Sequence, residues 1–139
     1  MSKIKILLIF FTLINFNLNA EEFKLKKIST LAKPWGSSFI NENELIVSEK
    51  VGKIKIVNIK DGKTIEVKHN LKFKNVGQGG LLDIIYKNNY VWIAYTEEVE
   101  KRIYSTSIAK GKLNRKKIKF KNIFRSIPDN VSTDFHFGS

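Results

Sequence analysis

The chain has 139 residues, room for one modest domain, and at 42% hydrophobic it is ordinary globular material rather than a disordered tail. It has no cysteine, which excludes disulfides and thiolate metal sites. Its formal net charge is +12, yet 22 of the 25 basic residues are lysines dispersed along the sequence, and isoleucine (19) and asparagine (13) are over-used with them. That is the signature of an AT-rich coding bias more than of a nucleic-acid footprint, which gathers its basic residues on one face.

The first twenty residues stand apart. Lys3 and Lys5 precede an apolar run from Ile6 to Ile14, followed by polar Asn15, Asn17 and Asn19 and the small Ala20. A charged start, a short apolar centre and a small-residue exit predict a cleaved secretory signal over 1–20. The run is too short to span a bilayer as a helix, so no stable membrane anchor is expected. The mature chain, 21–139, is then periplasmic or secreted, where contact with nucleic acid is not expected.

Beyond Glu21 no helical period emerges. Short β-type runs recur at 37–40, 44–48, 53–58 and 63–67, separated by the turn signals Asn41-Glu42-Asn43, Val51-Gly52-Lys53 and Asp61-Gly62. In Lys53-Ile54-Lys55-Ile56 the strict alternation assigns one face to a core and one to water. A glycine cluster, Gly77-Gln78-Gly79-Gly80, introduces a second group. Leu81–Tyr86 and Tyr90–Thr96 are apolar almost throughout, as strands buried on both faces are, and Asn88-Asn89 turns the chain between them. Arg102–Ala109 alternates, Lys110-Gly111-Lys112 reads as a turn, and weaker runs follow at 117–120 and 123–127.

Two groups of about four short strands at a period of ~45 residues match the repeat of a propeller blade. An immunoglobulin-like sandwich has similarly short strands, and periodicity alone leaves it open. Two blades cannot close a ring, and the sequence reaches Ser139 without a closing strand. The expectation is therefore the first part of a longer protein.

Four features occur in order: 33–54 with Pro34-Trp35-Gly36 and Ser48-Glu49-Lys50, 77–84 with Gly77–Asp83, 90–96, and 131–139 with His136-Phe137-Gly138-Ser139. Together they resemble the glucose/sorbosone dehydrogenase family, soluble sugar dehydrogenases that use pyrroloquinoline quinone (PQQ). The resemblance implies an all-β chain forming about two to two and a half blades of a six-bladed propeller. It implies oxidation of an aldose hydroxyl by hydride transfer to the quinone, with electrons passed on to an external acceptor. His136 would be the catalytic base, and Gln78 would lie beside cofactor and sugar. Imidazole titrates near neutrality, which suits a base at working pH, while the quinone carries the redox step.

The same resemblance implies calcium, whose six to eight oxygen ligands no cluster in this sequence offers. Those ligands, like further contacts to the quinone, are expected in a C-terminal part not included here, so the 139 residues are expected to be inactive alone. Where some family members have an acidic residue before the histidine, this chain has Phe135.

Read without the resemblance, Gln78 satisfies a tight turn, and His136 between two phenylalanines is a buried, hydrogen-bonded side chain. Trp35 and Trp92 read as core, His69 as surface, and Asp83 as a local cap. The rival functional reading is a non-catalytic secreted propeller or sandwich that serves as a binding module.

Overall fold

The computed structural model describes residues 23–127, 130–131 and 137. The predicted signal segment and His136 lie outside the described residues. Within them the chain is all-β, and no helix is long and apolar enough to cross a membrane.

The first sheet is a meander of consecutive strands: β1 (Pro34–Asn41), β2 (Glu44–Glu49), β3 (Lys53–Asn58) and β4 (Thr64–His69), all antiparallel neighbours. The turns fall at the expected signals. Between β2 and β3 the Gly52 amide donates to the Glu49 carbonyl (2.8 Å), with Gly52 at φ +103°. In register, Ile46 faces Ile56 and Ser48 faces Ile54, while Ile54 faces Val67 across β3 and β4. The predicted alternation therefore collects Ile46, Ile54, Ile56 and Val67 on one side, all buried.

The second sheet repeats this plan with β5 (Leu81–Lys87), β6 (Tyr90–Glu100), β7 (Ile103–Lys112) and β9 (Lys121–Arg125). A short strand, β10 (Asn130–Val131), also pairs with β7. The Asn88-Asn89 turn is confirmed, both residues having positive φ (52° and 65°) as a tight two-residue hairpin requires. Leu81, Ile84, Val91, Ile93, Tyr95 and Ala109 pack against the buried row of the first sheet, joined by Ile118 and Phe120, and form the main core. A smaller cluster holds Leu82, Tyr104 and Phe137.

Two stacked sheets, each made of consecutive strands, have the topology of propeller blades; a sandwich mixes distant strands within a sheet. The blades are also laced together. A two-residue strand, β8 (Lys117–Ile118), leaves the second group and pairs in parallel with β4.

Four readings need correction, three of them here and Trp35 at the site below. Lys110-Gly111-Lys112 is not a turn: Gly111 lies within β7 opposite Val91, buried where a Cβ would meet Ile118 at 2.5 Å. Glycine is there for close approach, and the chain reverses at 113–116, where the Asn114 side chain accepts from the Lys116 and Lys117 amides (2.9 and 3.1 Å). The second difference concerns the apolar runs of β5 and β6, which are not buried on both faces. Ile85 is 54% exposed, and with Trp92, Ile108 and Phe124 it lines an apolar groove of about 500 Å³ on the side of the second blade facing away from the first. Trp92 is therefore half-buried on that outer face, with Lys110 over its ring (4.9 Å), rather than in the core.

His69 is the third. It ends β4, half-buried, with Nδ1 accepting from the Leu71 amide (3.3 Å). That leaves the proton on Nε2, which donates to the Gly52 carbonyl at 3.0 Å. It staples a turn instead of facing solvent.

Candidate functional site

Pro34-Trp35-Gly36 opens β1, Ser48-Glu49-Lys50 ends β2, and Gly77–Gly80 leads into β5. These three motifs, far apart in sequence, meet at one end of the two blades. Antiparallel pairing of β1 with β2 makes the first contact, since Pro34 lies opposite Glu49.

Ser48 is the pivot. Fully buried, its Oγ accepts from the Gly36 amide at 3.1 Å and donates to the Leu82 carbonyl. One hydroxyl thus ties β1, β2 and β5 together. Glu49, also fully buried, accepts from the Ala32 amide (2.6 Å) and from Lys55 Nζ (3.1 Å) through the same carboxylate oxygen. It holds the incoming segment against the blade.

Gln78 sits where the sequence places it, exposed at a tight turn in which the Gly79 amide donates to the Val76 carbonyl (2.6 Å). Gly77 takes a positive φ (48°) that leaves Gln78 at the crest. The far side of the turn is fastened by Thr96, whose Oγ1 accepts from the Gly80 amide (3.1 Å) and whose own amide donates to the Gly80 carbonyl (2.9 Å). Gly80 is also pressed against β2: a Cβ there would stand 2.2 Å from the Lys50 carbonyl oxygen. Glycine is obligatory at that contact.

The sequence carries Trp35 and Lys50 as members of their motifs but assigns neither a role at this site. Trp35 is 47% exposed rather than packed in a core, and the Lys50 ammonium lies 5.9 Å from the centre of its ring. The same ammonium donates to the Gly77 carbonyl, beside Gln78. The signal that could have found them is register, not composition: the end of β2 and the start of β1 must flank whatever precedes β5.

Asp83 behaves as expected, accepting from the adjacent Ile84 amide at 2.9 Å. Next to His136, Phe137 is buried, with its ring edge on Tyr104 (6.2 Å between centroids). Phe137 also shares a cluster with Leu82, the residue whose carbonyl Ser48 holds. Elsewhere, Glu97 receives Ser107 Oγ (2.7 Å), Asn122 Nδ2 (2.9 Å) and two nitrogens of Arg125. Burial pushes its carboxyl up, but these donors together outweigh burial and hold it below the usual range. Every oxygen there is engaged within the second blade. Among the described residues, no group of three or more His, Cys, Asp or Glu side chains could hold a metal.

Residues 31–139 match the family described as Glucose / Sorbosone dehydrogenase. The chain belongs to that family. A crystal structure of a glucose dehydrogenase shares 26% identity with it at a TM-score of 0.70, over 78% of this chain and 34% of the other. The PQQ-bound aldose sugar dehydrogenase of Streptomyces coelicolor superposes with a TM-score of 0.65 at 22% identity, over 75% of this chain and 34% of that one. The soluble aldose sugar dehydrogenase of Escherichia coli, in its apo form, gives 0.64 at 23% identity, over 70% and 31%. No curated protein matches the chain. The glucose/sorbosone dehydrogenase chain thus spans about a third of the length of these structures, and its two blades are part of a propeller.

Proposed function

We propose that this chain supplies the first blades of an exported PQQ-dependent dehydrogenase that oxidises an aldose sugar and passes the electrons to an external acceptor. The observation that carries the reading is the convergence of three family motifs on a fastened turn that presents Gln78 outward. When bound, the quinone supplies the two-electron acceptor. The residues present suit such a group: a carboxamide, both donor and acceptor, stands beside a lysine ammonium on a turn whose backbone is fixed. Gln78 binds and orients, and glycines on either side keep bulk away from it. His136 takes the proton from the sugar hydroxyl as hydride leaves the adjacent carbon, a role suited to a group that titrates near neutrality.

Calcium would be held by residues outside this stretch, and the 139 residues alone would lack activity. The predicted signal over 1–20 would take the protein to the periplasm or beyond. The test is made on the complete protein, reconstituted with PQQ and calcium and assayed on aldoses with a dye acceptor. Oxidation that depends on both additions, and that His136→Ala abolishes while PQQ still binds, is the expected result. Activity surviving in His136→Ala would remove the histidine from its role. Absence of any PQQ binding would leave the non-catalytic binding module as the better reading.

A further inference from the structure

Lys50 touches the Gln78 turn from both sides. Its side chain donates to the Gly77 carbonyl, on the entering side of the turn. Its main-chain carbonyl accepts from the Leu81 amide at 3.2 Å, on the leaving side, over the contact that excludes a side chain at Gly80. Its own amide donates to the Lys33 carbonyl (3.0 Å), and Lys33 is a non-glycine residue at φ +53° directly before Pro34. The ammonium finally lies over Trp35, the next residue but one after Lys33.

One residue therefore fixes both ends of the turn and steadies the opening of β1. A backbone held in the left-handed region outside glycine persists only where surroundings over-determine it, and here the surroundings include Lys50. A main-chain clamp alone would serve a structural purpose with any side chain at position 50. The ammonium adds something the fold does not need, a charge-assisted bond to the carbonyl immediately before Gln78.

We infer that Lys50 is a positioning residue for Gln78, its ammonium setting the turn in the orientation from which the carboxamide meets the quinone. This rests on the reading of Gln78 given above. It assigns Lys50 no contact with cofactor or substrate.

The test uses the complete protein carrying Lys50→Met, which keeps the apolar stem and removes the donor, and Lys50→Arg, which restores one. Two readouts are taken: PQQ affinity by fluorescence titration, and hydrogen exchange at the Gly79, Gly80 and Leu81 amides without cofactor. Lys50→Met is expected to weaken PQQ binding about tenfold, the loss of one charge-assisted bond. Exchange at the three amides should accelerate while Tm stays near that of the wild type, and Lys50→Arg should recover both readouts. Unchanged exchange and affinity in Lys50→Met would overturn the proposal, as would a loss that Lys50→Arg does not repair. A wild-type protein that binds no PQQ would instead overturn the reading of Gln78, and the exchange data would still report separately whether the clamp exists.

Discussion

The side chain of Asn70 pairs with the backbone of Phe120 as a neighbouring strand would. Its Oδ1 accepts from the Phe120 amide at 2.7 Å and its Nδ2 donates to the Phe120 carbonyl at 3.1 Å. Asn70 follows β4 of the first blade, and Phe120 precedes β9 of the second, so the pair bridges the blades. Truncation would leave the Phe120 peptide with neither partner, and in this part-buried position the loss of a hydrogen bond costs about 0.5–1.5 kcal/mol. Asn70→Ala should therefore lose that much stability in urea unfolding, and Asn70→Asp, which keeps the acceptor but loses the donor, should lose less.

Ser48 offers a sharper case, because its hydroxyl serves three strands. Ser48→Ala makes almost no change in volume, so its effect isolates hydrogen bonding from packing. A loss of about 1–3 kcal/mol is expected from two stranded partners in a buried site. An unfolding midpoint equal to that of the wild type would mean that the hydroxyl adds nothing to the backbone pairing and apolar contacts between these strands.

Gly80→Ala tests the close approach of β2 to the turn. A Cβ 2.2 Å from the Lys50 carbonyl oxygen cannot be accommodated without moving backbone, and overpacking of this kind costs about 1–3 kcal/mol. Thermal unfolding should register the loss. Because the turn itself must shift, PQQ affinity should fall as well.

The pH dependence follows from Glu44, at the start of β2, which binds Arg115 of the β7–β8 connection through two hydrogen bonds (2.6 and 2.8 Å). The Arg115 guanidinium, aided by the Asn41 amide and opposed by slight burial, holds the Glu44 carboxyl down to about 2 from its ordinary 4.5. A carboxyl depressed in the folded state contributes stability that is complete above the unfolded value and lost as pH falls through the folded one. The wild type should thus exceed Glu44→Gln in stability at pH 6, by about 1 kcal/mol or less because the pair is half exposed. The gap should close between pH 4.5 and 2, and a difference that persisted at pH 2 would contradict the assignment.

The sequence displayed most of the strands because β alternation and turn residues are local signals. Lys53–Asn58 shows its inward face through Ile54 and Ile56, and Asn88-Asn89 announces its hairpin by tolerating positive φ. What is not local stayed hidden. Gly111 reads as a turn until Ile118 is found lying against it, and Trp92 reads as core because apolarity tells that a face is suited to burial without telling what covers it.

The site was half legible for the same reason. Gln78 stands out among glycines, whereas Lys50, though it closes the Ser48-Glu49-Lys50 motif, shows no role of its own among 22 lysines. Only strand register brings its ammonium to Gly77 and Trp35.

The parallel pairing of β8 with β4 bears on how such a chain comes off the ribosome. When Thr64–His69 emerges, its Lys68–His69 end has no partner, because Lys117 and Ile118 have yet to be synthesised. An uncovered edge is a template for adding a stray strand. That end of β4 therefore stays open until the second blade has been made, and a chaperone or slow translation would matter most between those two moments. Cutting the gene at the sequence boundary between the blades would leave that end of β4 open permanently.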